Sequence, residues 1–595
     1  MTLNFTDWIS IFAFFVASLL IGVIVSKRSG KDTSEFFLSG RTMPWWLLGI
    51  SLVATTFSAD TPNLVTDIVR KNGVSGNWVW WAFLLTGMLT VFVYAKLWRR
   101  SESLTDLEFY ELRYSGKAAA FLRGFRALYL GVFFNVMIMA TVSLAAIKIG
   151  GVMLGLSPIQ TIAISSVIIV IYSSIGGFTG VIWTDFFQFG IAMLGAVLAA
   201  VIVLDLPQVN GLSGLLSHPN VQGKLSLMPD FNNTNIFVPI FLIPIAVQWW
   251  SVWYPGAEPG GGGYVAQRML AAKDENHSMG ATLLFNILHY GLRPWPWIIV
   301  ALASLIVYPD IASLKAAYPN LPESVINDDL AYSAMLTFLP HGVLGLIIAS
   351  LIAAYMSTIA THLNWGSSYV VNDFYKRFIN PTATEKQLVS VGRISTVVLM
   401  LLSAVIALAL SNALSAFNIL LQIGAGTGLL FILRWFWWRI NAQSELAAMI
   451  VSFLIAFYFE FVHTRILGLE TFPDHIKLLI GVAITTVCWV AVAFSTAPTE
   501  YATLLNFYKK IRPAAMGWQP LLQKALDRND ITPAQISMGR LPTELSAMFV
   551  GCVTVYATVF ATGYWIYGNT SSALISSAVA AVGSYVLFVI FKKLR

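Results

Sequence analysis

Four ionisable side chains stand where the sequence around them is apolar or built to break a helix. They are Asp60 in TTFSADTP, Asp185 in WTDFFQ, Glu258 in PGAEPGGGG and Arg293 in HYGLRPWPW. A charge is costly to hold among apolar groups, so such residues serve ions or solutes, or pair with one another. At 55–61, Ser, Thr and Asp compete for backbone hydrogen bonds, and Pro62 removes a donor. The run 255–263 holds five glycines and two prolines. Backbone that leaves a helix in apolar surroundings is tolerated where it is buried or lines a cavity. The chemistry open to these groups is coordination and recognition. No HExxH, GxSxG, Walker loop or Cys/His cluster accompanies them, which argues against an enzyme.

The elements that must position these residues are membrane helices. The chain has 595 residues, 57% of them hydrophobic and 11% charged, with a mean hydropathy of +0.72. A soluble core never needs that much apolar surface. About fifteen segments, from 5–26 to 571–591, approach the roughly 20 apolar residues that a spanning helix needs. The expected fold class is therefore an all-α polytopic membrane protein. The run at 8–26 is followed by KRSGK rather than a cleavage site and reads as a retained helix. Cys488 and Cys552 lie far apart in apolar runs and suggest neither a disulfide framework nor a metal site.

Two interrupted segments organise the chain. They begin near residues 44 and 236 and head consecutive five-helix groups, 44–205 and 236–413, joined by an outer loop at 206–235. Residues 1–43 add an N-terminal helix and an inner loop, and 414–595 add further helices around an inner loop at 498–542. Interruptions at matching places in two halves point to a transporter's midplane site; a pair of kinked structural helices is the plainer reading. About 28 of the 36 basic residues, Arg268 among them, fall in one alternate set of loops. The positive-inside rule assigns that set to the cytoplasm, leaving the N-terminus outside and the C-terminus inside. The expected location is a bacterial inner (plasma) membrane. The net charge of +7 is then topology, not a nucleic-acid footprint. Arg293 belongs to neither set of loops.

The string FFLSGRTMPWWLLGISLVATTFSA at 36–59 resembles the start of the sodium:solute symporter family, which includes sodium/sugar and sodium/proline symporters. GGFTGVIWTDFFQ at 176–188 is similar to that family's fifth core helix. QRMLAAK at 267–273 is similar to the end of its sixth, and AAYMSTIATHLNWGSSYVVNDFYK at 353–376 to its eighth. The resemblance implies a LeuT-like fold of two inverted five-helix repeats with extra helices. It also implies import of a small polar solute (sugar, polyol, amino acid or carboxylate) coupled to sodium entry. The family's main sodium site maps onto the carbonyls of Ala54 and Phe57 and onto Ala354, Ser357 and Thr358. The bland alternative is two hydroxyls bonded to carbonyls one turn back. Asp185, with Ser357 and Thr361, matches the second sodium site of some members. Ala360 stands where those members have a hydroxyl, so Asp185 is read either as a second sodium ligand or as a gate.

The sugar-transporting members carry a Glu-Gln pair where this chain has Asp60-Thr61. They also carry an acid where it has NWVWWAF, and a Lys where it has His289. Sugar specificity does not follow. The expected solute-binding set is Asp60, Thr61, Gln248, Ser251, Tyr254, Glu258, Gly261, Gly262, His289, Arg293 and Gln422. Trp249, Trp250 and Trp253 would serve as apolar walls, and Tyr254 as a gating aromatic. The stretch between WY and QR is about four residues longer than in the sugar members, and mostly glycine. Glycine would let bare backbone approach a solute, with Glu258 as an anchor. Arg293 is read either as a solute contact or as the partner of Glu258 or Asp60, and His289 either as a solute contact or as a satisfied neutral histidine. A transporter-like receptor is the rival function, but the loop at 498–542 is short for a signalling domain.

Overall fold

The computed structural model describes residues 3–25, 32–251, 258–319, 326–409, 424, 426–537 and 539–594. In chain order the helices used below are α1 (Phe5–Val25), α2 (Trp45–Thr55), α3 (Thr61–Asn72), α4 (Val74–Ser101), α5 (Gly116–Ile147), α6 (Pro158–Ile171), α7 (Gly177–Leu204), α8 (Thr234–Ala246), α9 (Gly263–Ala271), α10 (Glu275–Val307), α11 (Val343–Ile379), α12 (Glu385–Leu408), α13 (Ala442–His463), α14 (Asp474–Ser495), α15 (Leu541–Ile566) and α16 (Thr570–Leu594). Among the described residues eleven are long and apolar enough to cross a membrane, and α2, α6 and α8 are shorter apolar helices. The fifteen expected spans are thus not all single long helices. The segment anticipated at 236–266 is two pieces, and much of the one at 414–438 lies outside the described residues.

Both interruptions have local causes. α2 stops at Thr55, and the next residue turns its hydroxyl back: Thr56 Oγ1 donates to Leu52 O at 3.1 Å or Val53 O at 3.0 Å. α3 then opens with Pro62 in its first turn, where a missing N–H leaves no bond unmade. In the second break, Gly260 and Gly261 take φ values of +83° and +88°, a region that side-chain-bearing residues avoid. α9 starts after the extended Gly262.

α11 is the central helix. It packs along α7 and against α1, α2, α5 and α12, while α2 also lies against α10. Nearly all of its residues from Leu344 to Ser368 are buried. α16, by contrast, buries only Ala573 and Gly583 and turns its apolar side chains outward, as lipid contact requires.

The cation-rich loops gather together. Arg99 donates to Ala272 O at 2.8 Å, Arg41 to Glu102 O at 2.6 Å, and Arg100 grips Glu275 at 2.8 and 2.9 Å. The sparsely charged loops meet separately, through Arg70 with Asp328 at 2.8 Å and Lys224 with Lys71 O at 2.8 Å. One member of the sequence count is misplaced. Arg268 is not a loop cation but lies fully buried within α9, where a carboxylate and hydroxyls of neighbouring helices receive it.

Candidate functional site

The end of α2 meets α11 through hydroxyls. Thr358 Oγ1 lies 2.9 Å from Thr55 O and 3.2 Å from Ala354 O, with one proton for the two. Thr55 Oγ1 is 2.9 Å from Thr361 Oγ1. Ser357 Oγ donates to Asp185 Oδ1 at 2.7 Å, which leaves its lone pairs for another partner. Phe57 N–H donates to Ala54 O at 3.2 Å, and the Phe57 carbonyl accepts no backbone bond among the described residues. Ala54, Phe57, Ala354, Ser357 and Thr358 are all at most 2% exposed. The structure therefore brings the five expected sodium donors into one buried neighbourhood. The C-terminal end of α2 adds partial negative charge there, which favours a cation.

Beside it lies a second polar cluster. Asp185 Oδ2 accepts from Ser51 Oγ at 2.5 Å, and Arg268 Nη2 stands 3.5 Å from the same oxygen. That nitrogen also reaches Thr361 Oγ1 at 2.7 Å, Ser51 Oγ at 3.1 Å and Thr55 Oγ1 at 3.3 Å. Sequence reasoning brought Asp185 and Thr361 here but missed Arg268 and Ser51. The available signal was the place of Arg268 inside QRMLAAK, five residues ahead of the loop cation Lys273.

The first break also carries the solute candidates of α3 and α10. Asp60 is exposed, although Ser58, Ala59, Pro62 and Asn63 around it are buried. Thr61 Oγ1 accepts from Ser58 N–H at 3.3 Å. Arg293, 2% exposed, reaches Thr56 Oγ1 at 3.3 Å and Val53 O at 3.4 Å. Its guanidinium lies over the rings of Trp297 and Phe57, at 5.2 and 5.9 Å. Its Nη2 is 3.3 Å from His289 Nε2, and His289 Nδ1 is 3.0 Å from Thr56 Oγ1. An arginine can only donate, so Nε2 accepts and Nδ1 carries the proton. His289 is thus a neutral relay between Arg293 and the first break. Trp80 stands edge-on to His289 at 5.9 Å, and Gln248 joins this side by donating to Val79 O at 3.0 Å.

Among the described residues, Ser251 Oγ, Asn286 Oδ1 and Arg293 Nε are buried in this region without hydrogen bonds. Each such atom costs about 1–3 kcal/mol, and a polar guest can supply what it lacks.

Glu258, Gly261 and Gly262 belong to the second break, where Glu258 is held by other partners. Glu258 pairs with Arg126 and, at 3.2 Å, with Arg434. Glu445 faces the same two guanidiniums, at 3.1 Å from Arg434 and 3.6 Å from Arg126. All four side chains are at most 4% exposed. The backbone of this break is equally engaged: Gly260 O accepts from Trp98 Nε1 at 2.8 Å, and Gly263 N–H donates to Asp106 at 2.8 Å. Glu258 is therefore not the partner of Arg293; two nearer arginines hold it. A cavity of about 30 Å³ touches Glu258, Gly261, Thr86, Thr90, Asn286 and Tyr290, room for about one water. Tyr254 and Gln422 lie outside the described residues.

The model of the sodium:solute symporter family matches residues 36–452. The sodium/glucose cotransporter of Vibrio parahaemolyticus is 26% identical over 478 residues, 77% of this chain and 86% of its own length. The sodium/sialic acid symporter of Proteus mirabilis is 26% identical over 468 residues, 76% of this chain and 88% of its own length. A substrate-bound, outward-open structure of a sodium-coupled sialic acid symporter superposes with a TM-score of 0.63. It is 23% identical and covers 84% of this chain and 99% of its own.

Proposed function

The chain belongs to the sodium:solute symporter family, and we propose that it imports a small polar organic solute by alternating access, driven by sodium bound at Ala54, Phe57, Ala354, Ser357 and Thr358. The observation that carries this reading is the meeting of the α2 end with the Ser357–Thr358 pair of α11. Unwound carbonyls and hydroxyls are the donors that sodium takes in discontinuous-helix transporters. One sodium moving down 100 mV contributes about 2.3 kcal/mol, enough for roughly fiftyfold accumulation of a neutral solute.

The solute would bind between Asp60 and Thr61 on the first break and His289 and Arg293 on α10, with Gln248 and Ser251 at the approach. Asp60 is exposed, whereas every residue from Glu258 to Ala272 is buried. This contrast supports an arrangement open away from the cation-rich loops and closed toward them. With those loops in the cytoplasm, as in a bacterial inner membrane, it is the outward-facing one. The five-helix repeats at 44–205 and 236–413 would move against each other to reverse it. Relatives that carry glucose and sialic acid favour a hydroxylated solute, and Arg293 offers a place for an anionic group. Thermal stability of the purified protein against sugars, polyols, amino acids and carboxylates, each with and without sodium, tests the reading. The true solute stabilises more strongly when sodium is present, by linkage. Stabilisation independent of sodium for every compound would overturn it.

A further inference from the structure

We propose that a cavity on the cation-rich face holds the headgroup phosphate of an anionic phospholipid, between the ends of four spanning helices and the loop at 498–542.

The cavity has a volume of about 580 Å³, the size of many small-molecule sites. Its walls are the ends of α4 and α16, the first turns of α10 and α15, and the loop that follows the helix Tyr501–Ile511. Helices α4, α15 and α16 have 28, 26 and 25 residues, about 40 Å each, close to the thickness of a bilayer with its headgroups. The ends that meet here therefore stand in the headgroup layer.

Four cations line the cavity, Lys96, Arg100, Arg512 and Arg540, with three carboxylates, Asp274, Glu275 and Glu544. The carboxylates are committed. Glu544 pairs with Lys96, and Glu275 accepts from Nε and Nη2 of Arg100 at 2.8 and 2.9 Å. Asp274 caps α10 by accepting from His277 N–H at 2.9 Å. Among the described residues no ion pair engages Arg512 or Arg540, although Arg540 Nη1 donates to Lys593 O. Two guanidiniums with donors to spare select a phosphate, whose oxygens accept several N–H bonds at once. Basic hollows between helices at this face of a membrane are where anionic headgroups bind. Apolar Val93, Leu97 and Leu594 line the same cavity, which suits a headgroup that still carries its acyl chains rather than a free phosphate ester.

The backbone at Arg512 adds a separate observation. Arg512 ends its helix at φ +52° and ψ +56°, the left-handed conformation that glycine usually supplies there. An arginine kept in that conformation points to a charge retained for a purpose other than ending the helix.

The test uses the purified full-length protein in detergent, titrated with phosphatidylglycerol, phosphatidylcholine or glycerol phosphate, with bound copies read by native mass spectrometry. Phosphatidylglycerol should bind more tightly than either of the others by about fivefold or more, the gain that one interfacial cation gives. Arg512→Gly suits the backbone at that position and should fold as the wild type does, yet weaken phosphatidylglycerol binding about fivefold. Arg540→Gln should do the same. Lys509→Gln removes an exposed cation just outside the cavity and should change nothing. An equal loss in Lys509→Gln would overturn the proposal, because diffuse surface charge would then account for the binding. Equal affinity for phosphatidylcholine or for glycerol phosphate would overturn it too, as would undiminished phosphatidylglycerol binding in Arg512→Gly and Arg540→Gln.

Discussion

The two helix breaks share a composition that weakens helices, yet they are held in opposite ways. At the first, Asp60 is exposed, and among the described residues Phe57 offers a carbonyl with no backbone donor and Arg293 Nε has no hydrogen-bond partner. At the second, Glu258 sits between two guanidiniums, and the backbone at Gly260 and Gly263 is claimed by Trp98 and Asp106. A break with unmet hydrogen-bonding capacity is suited to a guest. A break whose carboxylate and backbone are held within the protein is suited to sealing one side. Acidic residues and glycines occur in both, so residue type does not separate the roles; the number of committed partners does.

The comparison is most exposed to failure at Glu258. Glu258→Gln removes the charge between Arg126 and Arg434 and should destabilise the protein by about 3 kcal/mol, the lower end for stranding buried charges, since Glu445 still faces both arginines. A second change, Arg434→Gln, should recover part of that loss. Asp60→Asn is the matched control at the other break: it should leave thermal stability nearly unchanged and weaken solute binding. Thermal unfolding and solute binding of the three variants check this, and the reverse pattern would exchange the roles of the two breaks.

Gly261→Ala comes next in size. At φ +88° an added methyl costs about 1–2 kcal/mol through backbone strain alone. That methyl would also stand 2.4 Å from Met269 Cε, although a methionine end can shift. The expected loss is about 2 kcal/mol of stability, with the sodium concentration for half-maximal uptake unchanged.

Ser357→Ala and Thr358→Ala probe the first break from the α11 side. Each removes one of five oxygens and should raise the half-saturating sodium concentration about tenfold, or about 1.4 kcal/mol. Thr358→Ser, which keeps the oxygen, should recover most of it. Sodium-dependent uptake, or sodium-dependent stabilisation, reads the effect. Unchanged sodium dependence in both alanine variants would remove the assigned cage.

How much of this was legible follows from what each signal encodes. Breaks at 55–62 and 255–263 could be read because Pro, Gly and small polar residues act on their own backbone, a local effect. The meeting of Ser357 and Thr358 with the α2 end required a resemblance, since nothing local ties residues three hundred positions apart. The clasp on Glu258 could not be read at all. Arg126 and Arg434 flank apolar runs as ordinary inner-face cations do, and only the folded chain turns them inward. Arg268 was misread for the same reason: counting charges by loop cannot tell a solvated cation from one buried opposite Asp185.

Gly262→Ala should have the smallest effect, and that is its use. Gly262 has φ −151°, extended backbone that alanine adopts without strain. Its added methyl would meet Glu258 Cγ at 3.1 Å and Cβ at 3.2 Å, a contact relieved by a shift of a few tenths of an ångström. Gly262 is also the N-cap of α9, where alanine is less favourable than glycine by up to about 1 kcal/mol. Against this, alanine restricts the unfolded chain and returns about 0.4–1 kcal/mol. The terms nearly cancel, so stability should change by less than about 0.5 kcal/mol in either direction. If the second break only closes one side, solute affinity should be equally unmoved. A stable Gly262→Ala protein with several-fold weaker solute binding would mean that this backbone touches the solute. The contrast between an open break and a sealed one would then fail at its least disturbed position.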